Sequence, residues 1–390
     1  MTPTRVRRAF RNIRPSLTNP ARVPKPTQPG PGRPPGSKNR HPLPPATTWA
    51  KPSNAPRPSS NAINPDVKEQ DQHLLLKGAC HIGAIRQREA GCSGRLWCVE
   101  RTCMDVTERE LTNPWEGILV TPARGGDVGV LVLGGSSGRI EHERTRILAR
   151  QGMTALSIRW FGGPRQPPGI CEIPLETFTE AIGLLQTHGA RRIGILGLSK
   201  GAEAALLTAV HEPRVDVVVA LSPTSRVWCN VGPGRDGQQP PYRSSWTWQG
   251  QPLPFLPMDD AWTPAEPGNG PVAVRGWYEL SELIFAHLLP AAEIAVEKAR
   301  ADLLLVAGGD DAMWPSLRFA EQLAARRRSA GASVHVISRE DAGHRPRLPD
   351  QSPAQTSQRF LYGGTSHADA LLGAAAWPHI LHALGGQELP

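Results

Sequence analysis

After Trp115 the chain settles into a repeating rhythm: short apolar runs separated by longer stretches with apolar residues at helical spacing. Runs at 116–121, 128–133, 154–160, 193–198, 216–221, 302–307 and 333–338 predict strands. Segments 141–151, 175–188, 201–210, 316–328 and 367–384 predict helices. Strands that alternate with helices of this length predict a mostly parallel, doubly wound sheet covered on both faces. One long interruption, 224–300, breaks the rhythm. It is rich in Pro, Gly and Trp, including Trp228, Trp246, Trp248, Trp262 and Trp277, and its latter part, 279–298, reads as helical. A segment of that length is expected to be an inserted cap. Its tryptophans would either wall a pocket or pack the insertion onto the sheet. Regular patterning begins at Met104, so one domain is expected over 104–390. Residues 63–103 have no assignable pattern and read as a linker. Residues 1–62 are Pro-, Arg- and Ser-rich without apolar periodicity, and a disordered tail is expected there.

Within this frame the stretch 193–210, IGILGLSK followed by GAEAALLTAV, reads as strand, sharp turn and helix. In a Gly-x-Ser-x-Gly turn of this kind the glycines, here Gly197 and Gly201, allow strand and helix to approach, and the serine is presented above the sheet. Ser199 is therefore the candidate nucleophile. A serine hydroxyl needs a base to take its proton and a carboxylate to orient that base. Two later strands end in suitable residues: 303–307 runs into Gly308-Gly309-Asp310-Asp311, and 333–338 is followed by Glu340-Asp341-Ala342-Gly343-His344. Order and loop position nominate His344 as base and one of the two aspartates as acid. The Gly-x-x-Asp placement favours Asp311 over Asp310. His335 lies inside a strand, and His188 and His211 close helices, so they fit less well. Backbone N–H groups of Lys200, after the nucleophile, and of Ser136, in the glycine-rich loop 134–138, are the candidate oxyanion donors.

The 390 residues carry a formal charge of +9, but unevenly. Residues 1–103 hold 18 Lys+Arg against 5 Asp+Glu, and the remainder holds 26 against 30. The basic character thus belongs to the tail. Within it, Gly32-Arg33-Pro34 in GPGRPPGSKNR resembles the core of an AT-hook, which makes A·T-rich DNA a partner to consider and a DNA-associated protein the rival reading. Four of the six cysteines, Cys80, Cys92, Cys98 and Cys103, share one window, but no Cys-x-x-Cys pair occurs, so reduced thiols without a metal are expected. No segment reaches the roughly 18 apolar residues that span a bilayer, and no secretory leader is recognisable, so a cytoplasmic protein without membrane partners is the expectation. No cofactor is implied.

Taken together, GLSKG before an Ala/Glu/Leu helix, GGDDAMW at 308–314, Ala342-Gly343-His344, and the late Gly363-Gly364 before an Ala-rich helix with Trp377 resemble the C-terminal catalytic domain of acyl-CoA thioester hydrolases and bile acid-CoA:amino acid N-acyltransferases. The resemblance covers about 115–384. It implies an α/β-hydrolase fold, with Ser199 attacking an acyl thioester, Asp311 as acid and His344 as base. The family's acyltransferases carry Cys at the nucleophile, and serine here favours hydrolysis. Animal members place a β-sandwich before this domain, for which 104–115 is too short. A carboxylesterase, lactonase or dienelactone-type hydrolase on the same residues therefore remains the alternative.

Overall fold

Residues 128–133 are all buried, and their side chains divide between two cores. Val128, Val130 and Val132 enter one cluster, and Leu131 and Leu133 enter the other. This is what a two-residue strand repeat does when both faces of a sheet are covered. The computed structural model describes residues 105–265 and 270–385. Their first half comprises Val106–Leu111 (β1), Gly117–Pro122 (β2), Val128–Leu133 (β3), His142–Ala149 (α1), Thr154–Ile158 (β4), Ile173–Pro174 (β5), Glu176–Thr187 (α2), Arg192–Leu198 (β6), Lys200–His211 (α3) and Val217–Leu221 (β7). The insertion follows, with Trp246–Trp248 (β8), Gln251–Pro252 (β9), Arg275–Ile284 (α4) and Leu289–Ala292 (α5). Asp302–Gly308 (β10), Ser316–Ser329 (α6), Val334–Arg339 (β11) and Ser366–Gly385 (α7) complete the described chain.

Eight strands form one sheet in the order β1-β2-β4-β3-β6-β7-β10-β11. From β4 to β11 every pairing is parallel, whereas β1–β2 and β2–β4 are antiparallel. Helices α2, α3 and α6 cover one face, and α1 and α7 the other. The sheet is thus mixed at one edge. There β1 exposes four of its six residues, and its Glu108 pairs with Arg146 of α1. Charge on an edge strand discourages pairing with a second chain.

Chain direction reverses around β3: the connection through α1 leads outward to β4, and the connection through α2 returns to β6 on the other side of β3. Crevices outside the carboxyl ends of parallel strands at such a switch point are where open α/β sheets bind ligands. The turn after β6 carries Ser199, and the loop after β3 carries Ser136.

The insertion differs from a free-standing cap. Trp246 is fully buried in the main core, with its ring 5.4 Å from that of Trp160 and 6.1 Å from that of Phe178. Its strands β8 and β9 join β5 in a small second sheet. Trp248 stacks on His211 at the end of α3, and Trp262 stacks on Trp277. The helix expected at 279–298 begins earlier, at Arg275, and stops at Ile284. Short pieces follow, a tight turn at Ala286–Leu288 and then α5, whose first turn takes Pro290 where no intrahelical N–H bond is needed.

Candidate active site

Ser199 is the only residue between β6 and α3, and its backbone sits at φ 57°, ψ −121°. A non-glycine residue there is strained, and such strain survives only where neighbours enforce it. Here the Ser199 N–H donates to the Leu221 carbonyl at 3.0 Å, anchoring the turn to the end of β7. A Cβ on Gly197 would overlap the backbone of Gly201, and one on Gly201 would overlap the carbonyls of Leu133 and Gly134. Both glycines are therefore steric requirements of the turn. The loop after β3 reaches the same point: a Cβ on Gly135 would lie 3.2 Å from that of Ser199. Lys200 opens α3, where first-turn N–H groups have no intrahelical acceptor. Ser136 is exposed next to Gly135, and its N–H takes no acceptor among the described residues.

The two aspartates after β10 have different surroundings. Asp311 is buried. Its Oδ1 accepts the N–H groups of Met313 (2.8 Å) and Trp314 (3.2 Å), and its Oδ2 lies 2.7 Å from Nδ1 of His344. Asp310 instead accepts the Gly364 N–H through Oδ2 at 2.8 Å. His344, 3% exposed, follows β11, and its N–H donates to the Tyr362 carbonyl at 2.8 Å. Its ring packs edge-on against Trp314, with centroids 5.5 Å apart, and lies 6.0 Å from the ring of Tyr362. Tyr278 of α4 continues this wall, edge-on to both Trp314 and Trp228. So the insertion both packs into the core and, through Tyr278, packs against the aromatic residue beside His344.

Two buried thiols, Cys171 and Cys229, are rival nucleophiles only on paper. Burial raises both, that of Cys229 to about 12, and a protonated thiol is a poor nucleophile. An open depression of about 660 Å³ lies away from Ser199, lined by residues including Ser225, Arg226, Glu293 and Arg326. Arg226 and Arg326 pair with carboxylates there, and no residue of the elbow or the His344 loop lines it. Among the described residues no cluster of three His, Cys, Asp or Glu side chains gathers as a metal site would require. The four-cysteine window and the AT-hook-like stretch lie outside the described residues. Among the described residues, no helix is long and apolar enough to cross a membrane.

Sequence reasoning singled out Lys200 for its N–H and missed its side chain. The Lys200 ammonium is 2% exposed and bonds Glu203 Oε2 at 2.7 Å and Ser245 Oγ at 2.9 Å. Glu203, fully buried, accepts the Trp228 N–H (3.0 Å) and Trp246 Nε1–H (2.8 Å) through Oε1. One carboxylate thus ties the elbow helix to the insertion. Removing one member of a buried pair strands the other charge, at a cost of about 3–5 kcal/mol. Glu203→Gln is expected to destabilise the fold by that amount in urea denaturation. A Lys200→Met/Glu203→Gln double variant, which removes the stranded charge, is expected to recover part of the loss.

The strand order and the strained elbow between β6 and α3 are those of an α/β-hydrolase fold. The chain belongs to the BAAT / acyl-CoA thioester hydrolase C-terminal family, whose family model matches residues 173–386. Among curated proteins it is 26% identical over 274 residues to acyl-coenzyme A amino acid N-acyltransferase 2 of Rattus norvegicus, covering 67% of this chain and 61% of that protein. It is 23% identical over 288 residues to acyl-coenzyme A thioesterase 1 of Homo sapiens, covering 70% of this chain and 63% of that protein. The chain therefore spans about three fifths of the length of these relatives. Among solved structures, the esterase Pf2001 of Pyrococcus furiosus aligns at a TM-score of 0.39 with 15% identity, over 61% of this chain and 82% of that one.

Proposed function

We propose that this chain is a serine hydrolase that cleaves an acyl thioester of acyl-CoA type, or a related ester, through a covalent acyl-enzyme. The observation that carries the proposal is the buried 2.7 Å contact between His344 Nδ1 and Asp311 Oδ2, set beside a strained serine elbow at the switch point of the sheet. Asp311 keeps the proton on Nδ1, which leaves Nε2 free to accept one. His344 then removes the Ser199 hydroxyl proton as Oγ attacks the carbonyl carbon. The oxyanion that forms is stabilised by the N–H groups of Lys200, at the N-terminus of α3, and of Ser136. As the tetrahedral intermediate collapses, His344 returns its proton to the departing thiolate or alkoxide. Water, activated by the same imidazole, attacks the acyl-Ser199 ester and releases a carboxylic acid.

Membership of a family whose name specifies acyl-CoA thioester hydrolysis supports the thioester. The test is a substrate panel on the full chain, following thiol release from acyl-CoAs of graded length and phenol release from aryl esters. Higher kcat/KM on an acyl-CoA than on any ester is the expected outcome. Turnover confined to esters or lactones would assign the site to the carboxylesterase or dienelactone-type alternative.

A further inference from the structure

All three candidate triad segments meet at the end of β7, that of Ser199 on Leu221 and the other two on the next residue, Ser222, which the sequence pattern does not mark. Ser222 is fully buried and held at φ 48°. Its N–H donates to the Val306 carbonyl of β10 at 2.7 Å, continuing the ladder beyond β7. Its Oγ donates to the backbone carbonyl of His344 at 2.9 Å. Its own carbonyl accepts Nε1–H of Trp314 at 3.2 Å, and Trp314 in turn donates its N–H to Asp311 and packs edge-on against the His344 ring. The preceding carbonyl, that of Leu221, holds the Ser199 N–H. An L-residue in the left-handed region persists where surrounding bonds over-determine it, and such residues concentrate at functional sites.

We propose that Ser222 is a positioning residue for the reaction: its hydroxyl pins the His344 backbone, and its carbonyl pins Trp314, so that the imidazole keeps its place against Asp311. The inference rests on the hydrolase reading above. Ser222 has no surface in the cleft, so it acts through His344 and Trp314 and leaves substrate binding to other groups.

The test compares wild type with Ser222→Gly and Ser222→Ala in the full chain. Glycine accepts φ 48° without strain, so that variant removes the hydroxyl while relieving the backbone, and a loss of folding is not its expected effect. Loss of the pin is expected to lower kcat on the order of 10²-fold, the cost of displacing a reacting group by about 1 Å, with KM little changed. A readout independent of turnover is the low-field proton resonance of the His344 Nδ1–H to Asp311 hydrogen bond, assigned by its absence in Asp311→Asn. It should be sharp in wild type and broadened by solvent exchange in Ser222→Gly. Wild-type kcat together with an unchanged resonance in Ser222→Gly would overturn the proposal. The resonance reports on His344 even if no substrate is turned over, so failure of this inference is distinguishable from failure of the hydrolase reading.

Discussion

Ser199→Ala is expected to lower kcat by a factor on the order of 10⁶, the loss seen when a triad nucleophile is removed. The effect should be confined to chemistry. The Ser199 hydroxyl makes no hydrogen bond to another side chain among the described residues, and the bonds that hold the turn run through its backbone N–H and carbonyl. Alanine at φ 57° is no more strained than serine, so the thermal midpoint should stay near that of wild type. Circular dichroism melting beside steady-state kinetics checks both halves of this expectation.

Asp311→Asn should cost on the order of 10⁴ in kcat, with the fold retained. The direction follows from the neighbours. One oxygen at this position must accept the N–H groups of Met313 and Trp314, and the amide oxygen of asparagine is the atom that can do so. The amide nitrogen is then left facing His344, where it donates to Nδ1 and places the ring proton on Nε2. In that tautomer the imidazole cannot accept the Ser199 proton. Asp310→Asn is the matched control. Asp310 touches the Gly364 N–H and not the histidine, so its replacement is expected to leave kcat close to wild type. A large loss in Asp310→Asn with Asp311→Asn near wild type would mean that the acid has been assigned to the wrong carboxylate.

Local pattern carried much of this architecture. The run 128–133 became β3 with the same ends, and the strand, turn and helix around Ser199 stand where glycine spacing and apolar runs put them. Such features are short-range: apolar alternation, a glycine where backbones touch, an Ala-rich helix. What escaped was long-range or context-dependent. The antiparallel pairing of β1 and β2 leaves no trace in periodicity, because an exposed edge strand carries few apolar residues. The insertion lacks a repeat, and the fate of Trp246 depends on Trp160 and Phe178, more than 60 residues away in sequence. Lys200 and Glu203 have the spacing of an ordinary surface pair on a helix. Their burial follows from the insertion folding over α3, although the run of small and apolar residues at 204–207, too apolar for a surface helix, was a signal that this helix is covered on both sides. Asp310 and Asp311 could be ranked by spacing, but their surroundings depend on Gly364 and His344, loops that meet only in the folded sheet. Ser222 follows an apolar strand like many serines do, and only its backbone angle and its partners set it apart.

The account stands on an activated serine at one position. The most direct measurement is labelling of the full chain with a fluorophosphonate, located by peptide mass mapping, in wild type, Ser199→Ala and His344→Ala. The account predicts a single adduct on Ser199 in wild type and no adduct at that position in either variant. A folded wild type that takes no label, or one labelled equally well without His344, would contradict it.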